Sequence, residues 1–398
     1  MMNEQFRQAL PVIETLKRHG HEAYFVGGAV RDYLLKRPIG DIDIATSAHP
    51  HEVMSIFPKT VPVGIAHGTV MVIERGVSYE VTTFRKEGRY EDYRRPKDVT
   101  FVRSLYEDLQ RRDFTINAIA MNEHGDMIDP FGGMEALNDR IIETVGDARE
   151  RFSEDALRMM RALRFVSQLG FSLSAETKQA IVQYGHLLQH IAVERIAVEF
   201  EKLLLGSFVS KAIELLVETN LFSYLPELAT KKKELAQLAA YSLVPVHRIE
   251  AWARFAHVAR LDSQGLKKWK LSNHLIRDVS ICLEALERIH SLHDWTTDAL
   301  YEYGRYIPHI ERLRAVLHGG EPHVQHLLKR WEALPIRERK QLAINGHDLL
   351  ALFERKAGPW LAEMIGKIER AVLHGEVENE KEELKEWAVC NLKRENNC

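Results

Sequence analysis

The sequence predicts an α+β head, a mixed β-sheet with helices, followed by an all-α remainder. Two observations carry this. Up to about residue 148, short β-branched runs alternate with helical segments. Beyond that point a 3.6-residue apolar periodicity takes over and strand signals largely vanish.

In the head, Glu4–His19 sets Phe6, Leu10, Ile13 and Leu16 at helical spacing and stops at Gly20, with Pro11 breaking or beginning the helix. Ala23–Val26 is a short buried strand, followed by Gly27-Gly28 and a short helix through Leu35. Asp41–Thr46 alternates polar and apolar residues, as a half-buried strand does. Thr69–Ile73 and Tyr79–Phe84 form a hairpin around a Gly76 turn. Arg85–Lys97, crowded with charge and tyrosine, reads as a mobile loop. In the remainder, Ser153–Leu169, Ala175–Tyr184, Glu194–Leu205 and Lys211–Thr219 read as helices. Breaks near Pro226, Pro245, Pro308, Pro322 and Pro335 are the only handles on boundaries further along.

Composition excludes several classes. At 398 residues, 45% apolar and 28% charged, the chain has room for more than one globular domain. Lys and Arg total 54 against 57 Asp and Glu, a net charge of −3, so any nucleic-acid surface is a local patch. The three cysteines, Cys282, Cys390 and Cys398, form no C-x-x-C pair and no disulfide framework. Met1 to Arg18 has no apolar core of a signal peptide, and no run approaches the ~18 apolar residues of a membrane span. A cytoplasmic location is expected.

Four clusters carry chemistry. The first is GGAVRD, Gly27 to Asp32, with DID, Asp41 to Asp43. Residues i and i+2 of a strand share a face, about 6.6 Å apart by rise, so Asp41 and Asp43 project together. Two such carboxylates suit two hard cations roughly 3.5–4 Å apart, one activating a 3′ hydroxyl and one holding a triphosphate. Gly28 at a strand-to-helix turn lets backbone N–H groups approach phosphate, and Arg31 adds a fixed charge. A lone D-x-D is usually a solvated strand face and a lone Gly-Gly a turn; in this order they reinforce each other.

The second cluster, RRDFTINA from Arg111 to Ala118, is either a helix first turn capped by Asp113 or a ribose or phosphate contact made by Arg112. The third, DPFGG from Asp129 to Gly133, is a structural turn. The fourth, EDALRMMRALRF, spaces Asp155, Arg158, Arg161 and Arg164 three apart on one helix. The bland reading is an ion pair and a basic face. Beside a triphosphate, Asp155 could instead accept from the exocyclic amine of C or A while Arg158 donates to the neighbouring ring acceptor. U and G would then be rejected, leaving Arg161 and Arg164 for phosphate or helix positioning.

In order and spacing these clusters resemble the class II tRNA nucleotidyltransferases, the CCA-adding enzymes of the DNA polymerase β superfamily. VERIAVEFEKLL (Val193 to Leu204), INGHDLL (Ile344 to Leu350), Gly358-Pro359 and GEVENEKEEL (Gly375 to Leu384) extend the resemblance along the chain. It implies an elongated molecule with a catalytic head (1–148), a helical neck that reads the base (149–206), a helical body (207–295) and a tRNA-binding tail (296–398). It implies stepwise addition of C, C and A to the tRNA 3′ end from CTP and ATP, without a nucleic-acid template and with Mg²⁺. Carried over by position, Asp41 and Asp43 hold metal, and Gly28, Arg31, Arg112, Asp155, Arg158, Arg161 and Arg164 hold nucleotide. Body and tail would grip the acceptor arm and elbow, and Arg85–Lys97 would help switch from C to A. A monomer or homodimer fits equally. Glu80 is a weak candidate for a third acidic group near the metals.

The nearest rivals are a poly(A) polymerase and an enzyme adding only CC or only A. A small-molecule nucleotidyltransferase would need no base reader such as Asp155–Arg164. His293-Asp294 and His347-Asp348 are dipeptides used by metal phosphohydrolases, but the further ligands are missing, so both are surface residues. Lys231–Lys233, Lys267-Lys268 with Lys270, and Arg337, Arg339 and Lys340 are solvated faces that together offer charge to an RNA backbone.

Overall fold

A computed structural model describes residues 2–88, 90–91, 95–96, 99–241, 244–292 and 294–395. They fall into two compact units, Met1–Val244 with Gln264–Leu271, and Pro245–Ser263 with Ser272–Cys398.

The first unit begins with α1 (Glu4–Arg18), which runs through Pro11 and buries Phe6, Ala9, Val12, Ile13 and Leu16. One lost backbone bond at Pro11 is outweighed by that continuous apolar face. Phe6 meets Phe25 edge-on at 4.8 Å between ring centres. β1 (Ala23–Val26), α2 (Gly28–Leu34) and β2 (Asp43–Thr46) follow, then α3 (Pro50–Ile56) and the strands β3 (Thr60–Gly64), β4 (Thr69–Glu74) and β5 (Val77–Thr83). With β10 (Ala120–Met121) and β11 (Met127–Ile128) they make a seven-stranded sheet ordered β11-β10-β1-β2-β5-β4-β3. The β2–β5 pairing is parallel and aligns Asp43 with Glu80, while β1–β2 is antiparallel and aligns Asp43 with Val26.

Two head readings change. β2 starts at Asp43, not Asp41, and Ile44, Ala45 and Thr46 are all buried. A central strand flanked by β1 and β5 is covered on both faces, so strict alternation fails. The expected loop at Arg85–Lys97 contains backbone pairing: β6 (Arg85–Glu87) with β9 (Val99–Phe101), and β7 (Tyr90–Glu91) with β8 (Arg95–Pro96). A polar ribbon carries no period-2 apolar signal to read. Residues 89, 92–94 and 97 of that stretch lie outside the described residues.

α4 (Leu105–Gln110) leads into the RRDFTINA segment, and α5 (Gly133–Asp139) begins at the DPFGG turn. There Asp129 accepts from the N–H groups of Gly133 and Met134, both at 2.7 Å, satisfying two orphan donors of the first turn. The helix expected over Ser153–Leu169 is two helices, α6 (Ala148–Glu154) and α7 (Leu157–Leu169). Asp155 sits between them in extended conformation, and its carboxylate accepts from the Leu157 N–H at 3.0 Å. Aspartate competes for backbone donors and so favours helix starts over interiors. The expected stripe therefore has only its three arginines on the helix. α8 (Ala175–Tyr184), α9 (Val193–Leu204) and α10 (Val209–Glu218) lie where periodicity set them. Two short strands that the sequence did not signal, β12 (Ile141–Ile142) and β13 (Ser172–Leu173), pair in parallel. α11 (Lys232–Ala239) ends the helices lying wholly within this unit.

The second unit opens with α12 (Arg248–Ala259); α13 (Ser263–Lys268) returns to the first unit from Gln264 on, and the second continues with α14 (Asn273–Leu292), α15 (Thr297–Tyr303), α16 (Ile307–His318) and α17 (Val324–Glu332). α18 (Gly346–Phe353), α19 (Pro359–Leu373) and α20 (Lys381–Glu395) close it around Ile336, Ile344, Leu349, Met364, Ile368 and Leu384. Pro308 falls in the first turn of α16, where proline starts a helix rather than stopping one. Cys282 is buried and Cys390 exposed, both free; Cys398 lies outside the described residues. So does His293, while Asp348 serves a capping box with Asn345 and pairs with Lys381 at 2.7 Å. Among the described residues no helix is long and apolar enough to cross a membrane.

Candidate active site

The turn from β1 into α2 sets one end of the site. Gly27 has φ 72°, the left-handed region. A Cβ there would stand 3.2 Å from Arg112 Nη1 and 3.6 Å from Asp43 Oδ2, so a bare backbone lies close to both. The helix that starts at Gly28 has no side-chain cap, which leaves its first N–H groups for an anion. Asp43 stands across the sheet from Glu80. Burial pushes its carboxyl up to about 6, Glu80 and Asp41 push the same way, and Arg112 opposes them. Asp41 is exposed, just ahead of the strand.

This excess of negative charge fits a divalent cation. Among the described residues no three His, Cys, Asp or Glu side chains already converge on one metal position. Mg²⁺ does not require that: it keeps water and takes substrate phosphate oxygens besides one or two carboxylates. Asp41 and Asp43, with phosphate, would meet its needs.

From Asp43 a cavity of about 990 Å³ extends to α7 and α9. Eight arginines line it against five carboxylates, a local cationic surface on a nearly neutral chain. Gly28, Arg31, Arg112, Asp155, Arg158, Arg161 and Arg164 all reach it; Asp41 does not line it. Arg31 is bidentate on Asp32, both contacts 3.0 Å, and donates to Asn117 Oδ1 at 2.7 Å. Asn117 in turn donates to Asp113 at 3.0 Å, and Asp113 accepts Arg161 Nε at 2.7 Å. Burial works against the Asp113 charge, yet Arg161 and Asn117 hold its carboxyl down at about 2. So Asp113 is a buried crosslink between the RRDFTINA turn and α7, not a helix cap.

Arg158 does not pair with Asp155. Its guanidinium donates to Glu154 at 2.7 Å and to the carbonyls of Arg151 and Arg111 at 3.3 and 3.1 Å. Asp155 accepts from Arg195 Nη2 at 3.1 Å, besides the Leu157 N–H. The two residues expected to read a base are thus held separately. Arg164 lies over the Phe165 ring at 4.3 Å, and burial with Arg161 nearby pushes its guanidinium down to about 10. Its Nε is 3.0 Å from Glu199 Oε2 but out of line for a hydrogen bond. Arg112 donates to Asp108 at 3.1 Å; its Nε, like Arg195 Nη1, is buried with no hydrogen-bond partner among the described residues.

Sequence reasoning missed Asn117, Glu154, Arg195 and Glu199 as site residues. Asn117 stood inside a flagged cluster, and Arg195 and Glu199 inside VERIAVEFEKLL. No spacing rule says that α9 reaches the same cavity as α7.

Comparison with known proteins decides the family. The CCA-adding enzyme of Anoxybacillus flavithermus is 82% identical over 397 residues, covering 100% of both chains. The chain belongs to the CCA-adding enzyme family. It is therefore a nucleotidyltransferase. The CCA-adding enzyme of a Geobacillus strain is 55% identical, again over 100% of both chains. The crystal structure of the Bacillus stearothermophilus CCA-adding enzyme in complex with CTP aligns over 100% of both chains, with TM-score 0.91 and 51% identity. Three family models match: a poly A polymerase head domain over 23–143, a probable RNA- and SrmB-binding site of polymerase A over 170–232, and a putative tRNA nucleotidyltransferase domain 2 over 245–388. The family's head thus begins at β1, where the cavity begins.

Proposed function

We propose that this CCA-adding nucleotidyltransferase extends the tRNA 3′ end stepwise by C, C and A from CTP and ATP, with no nucleic-acid template. The observation that carries the reading is one cavity lined by Asp43 and by both Asp155 and Arg158. A triphosphate spanning it would have its phosphates near Gly28 and its base near α7. The 51% identical B. stearothermophilus enzyme was solved with CTP, which supports a pyrimidine nucleotide in the corresponding place.

In this reading Asp41 and Asp43 hold Mg²⁺, which when bound neutralises triphosphate charge and sharpens the 3′ hydroxyl as a nucleophile. The backbone at Gly28, with Arg31 and Arg112, receives the phosphates and ribose; Arg161 and Arg164 complete the cationic wall. The 3′ oxygen forms a bond to the α-phosphorus, the α–β anhydride breaks and pyrophosphate leaves. Asp155 accepts from an exocyclic amine and Arg158 donates to the adjoining ring acceptor, a pattern C and A share and U and G invert. Arg112 Nε and Arg195 Nη1, buried without a partner among the described residues, support a polar ligand, because an unmade buried hydrogen bond costs about 1–3 kcal/mol. We assign the head to 1–148, the neck to 149–206, the body to 207–295 and the RNA-binding tail to 296–398, in a cytoplasmic enzyme.

A tRNA transcript lacking its last three nucleotides, given Mg²⁺ with CTP, ATP, GTP or UTP singly and mixed, tests this. Two additions with CTP and a third only when ATP is present are expected. Long A tails would make the chain a poly(A) polymerase, and arrest after CC or addition of A alone a partial enzyme.

A further inference from the structure

The second unit holds an aromatic cavity that the nucleotide chemistry leaves unused. It measures about 650 Å³ and is lined by Tyr301, Tyr303, Tyr306, Trp331, Arg305 and Arg337, among others. That is within the roughly 300–1,000 Å³ typical of small-ligand sites. Three arginine–aromatic contacts surround it: Arg337 over Trp331 at 5.5 Å, Arg305 over Tyr306 at 4.7 Å and Arg288 over Tyr303 at 5.9 Å. Trp331 is packed so tightly on Gly304 that a Cβ there would fall 2.1 Å from its Nε1. That indole N–H is buried with no hydrogen-bond partner among the described residues. Arg337 belongs to the basic run Arg337, Arg339 and Lys340, which sequence alone left as a solvated face.

Aromatic rings interleaved with arginines are how proteins hold unpaired bases: every base has a π-face, and guanidinium planes stack on it. Glu284, Glu302 and Glu338 also line the cavity. Carboxylates suit exocyclic amines rather than phosphate. We propose that this cavity takes an unstacked nucleobase bearing an exocyclic amine, with the phosphate backbone passing over Arg337 and Lys340. The base comes from the RNA substrate, so the inference rests on tRNA being that substrate; a free nucleotide shares the chemistry and is separated by the test.

The intact enzyme is labelled with 5-fluorotryptophan, and the Trp331 resonance is assigned by its loss in Trp331→Phe. The labelled protein is titrated with a tRNA transcript lacking its last three nucleotides, and separately with AMP and CMP. The Trp331 signal is expected to shift with tRNA and to stay in place with millimolar AMP or CMP. Trp331→Ala should weaken tRNA binding about tenfold, the scale of losing one base–aromatic stack, and Trp331→Phe less. Arg337→Ala, at the surface, should weaken it in the same direction, with KM for tRNA raised and kcat unchanged at saturation. A shift with AMP or CMP alone would replace the RNA base by a free nucleotide and overturn the assignment. An unmoved Trp331 signal with tRNA bound, and equal affinity in all three variants, would overturn it while leaving CCA addition intact. Failure of the wild type to bind tRNA would remove both readings.

Discussion

The two ends of the nucleotide cavity are charged in opposite senses. At the sheet end Asp43 has too few positive neighbours, and its carboxyl rises to about 6 under burial, Glu80 and Asp41. At the α7 end Asp113 has more than enough, and its carboxyl is held at about 2. The same residue type, both times with much of its water removed, ends near opposite limits of the carboxylate range. Burial raises both; only the partners differ. On the proposed reading a cation from outside completes the sheet end, while the α7 end carries its cations in the fold. Binding of metal and triphosphate would even out the contrast.

The largest effect should come from the incomplete end. If Asp43 holds the metal as proposed, Asp43→Ala leaves only the exposed Asp41 for it, and transfer should fall about 10³-fold or more. Asp41→Ala should behave alike. Stability should hold or rise, because the substitution removes an under-compensated charge. Single-turnover extension and thermal melting on one preparation check both halves. Normal turnover in either variant would break the metal assignment, and a large drop in melting temperature would break the contrast.

At the other end the order reverses, stability first. Asp113→Ala strips Arg161 and Asn117 of their partner and should cost about 3 kcal/mol, the scale of breaking a buried ion pair. The sign with pH follows from its lowered carboxyl. Stability carried by ionised Asp113 is fully present above its ordinary value of 3.8 and is lost as pH falls toward about 2. The gap between wild type and variant in urea melts should therefore narrow below pH 4. A gap constant down to pH 2 would contradict the pairing.

Arg158→Ala is next in size. If Arg158 reads the base as proposed, its loss should relax discrimination against UTP and GTP about tenfold. Because Arg158 also supports Glu154 and the Arg111 carbonyl, some stability goes with it. Selectivity is therefore the readout: kcat/KM for CTP and ATP against UTP and GTP. Unchanged ratios would mean that another group reads the base.

What the sequence made legible divides along the same lines. Features fixed by local chemistry were readable: β1, the Gly27-Gly28 turn, the hairpin around Gly76, and α8 to α10. Short runs carry them, and nothing distant overrides the signal. The break at Asp155 was not readable, because Asp155 keeps helical spacing with Arg158, Arg161 and Arg164. Only the carboxylate's hold on the Leu157 N–H ends one helix and starts the next. Nor were the partners from afar. Arg195 reaches Asp155 across 40 positions and Arg161 reaches Asp113 across 48, and no periodicity encodes such contacts. Arg31, Arg112, Arg158, Arg161 and Arg164 were recognised, but Arg195, and the partners that the site's arginines hold, were not.

Glu80 offers the finest test of the contrast. It aligns with Asp43 in the parallel β2–β5 pairing and is the largest charged influence raising that carboxyl. It is exposed and does not line the cavity, so its influence is through space, screened by water and salt. Glu80→Gln keeps the strand and removes one charge. If Glu80 only strengthens the field that draws a cation in, the Mg²⁺ concentration for half-maximal extension should rise severalfold, with kcat at saturating Mg²⁺ unchanged and the difference shrinking in high salt. If Glu80 is itself a ligand, kcat should collapse as in Asp43→Ala and salt should not hide it. The geometry favours the first outcome, because Glu80 is exposed and stands outside the cavity.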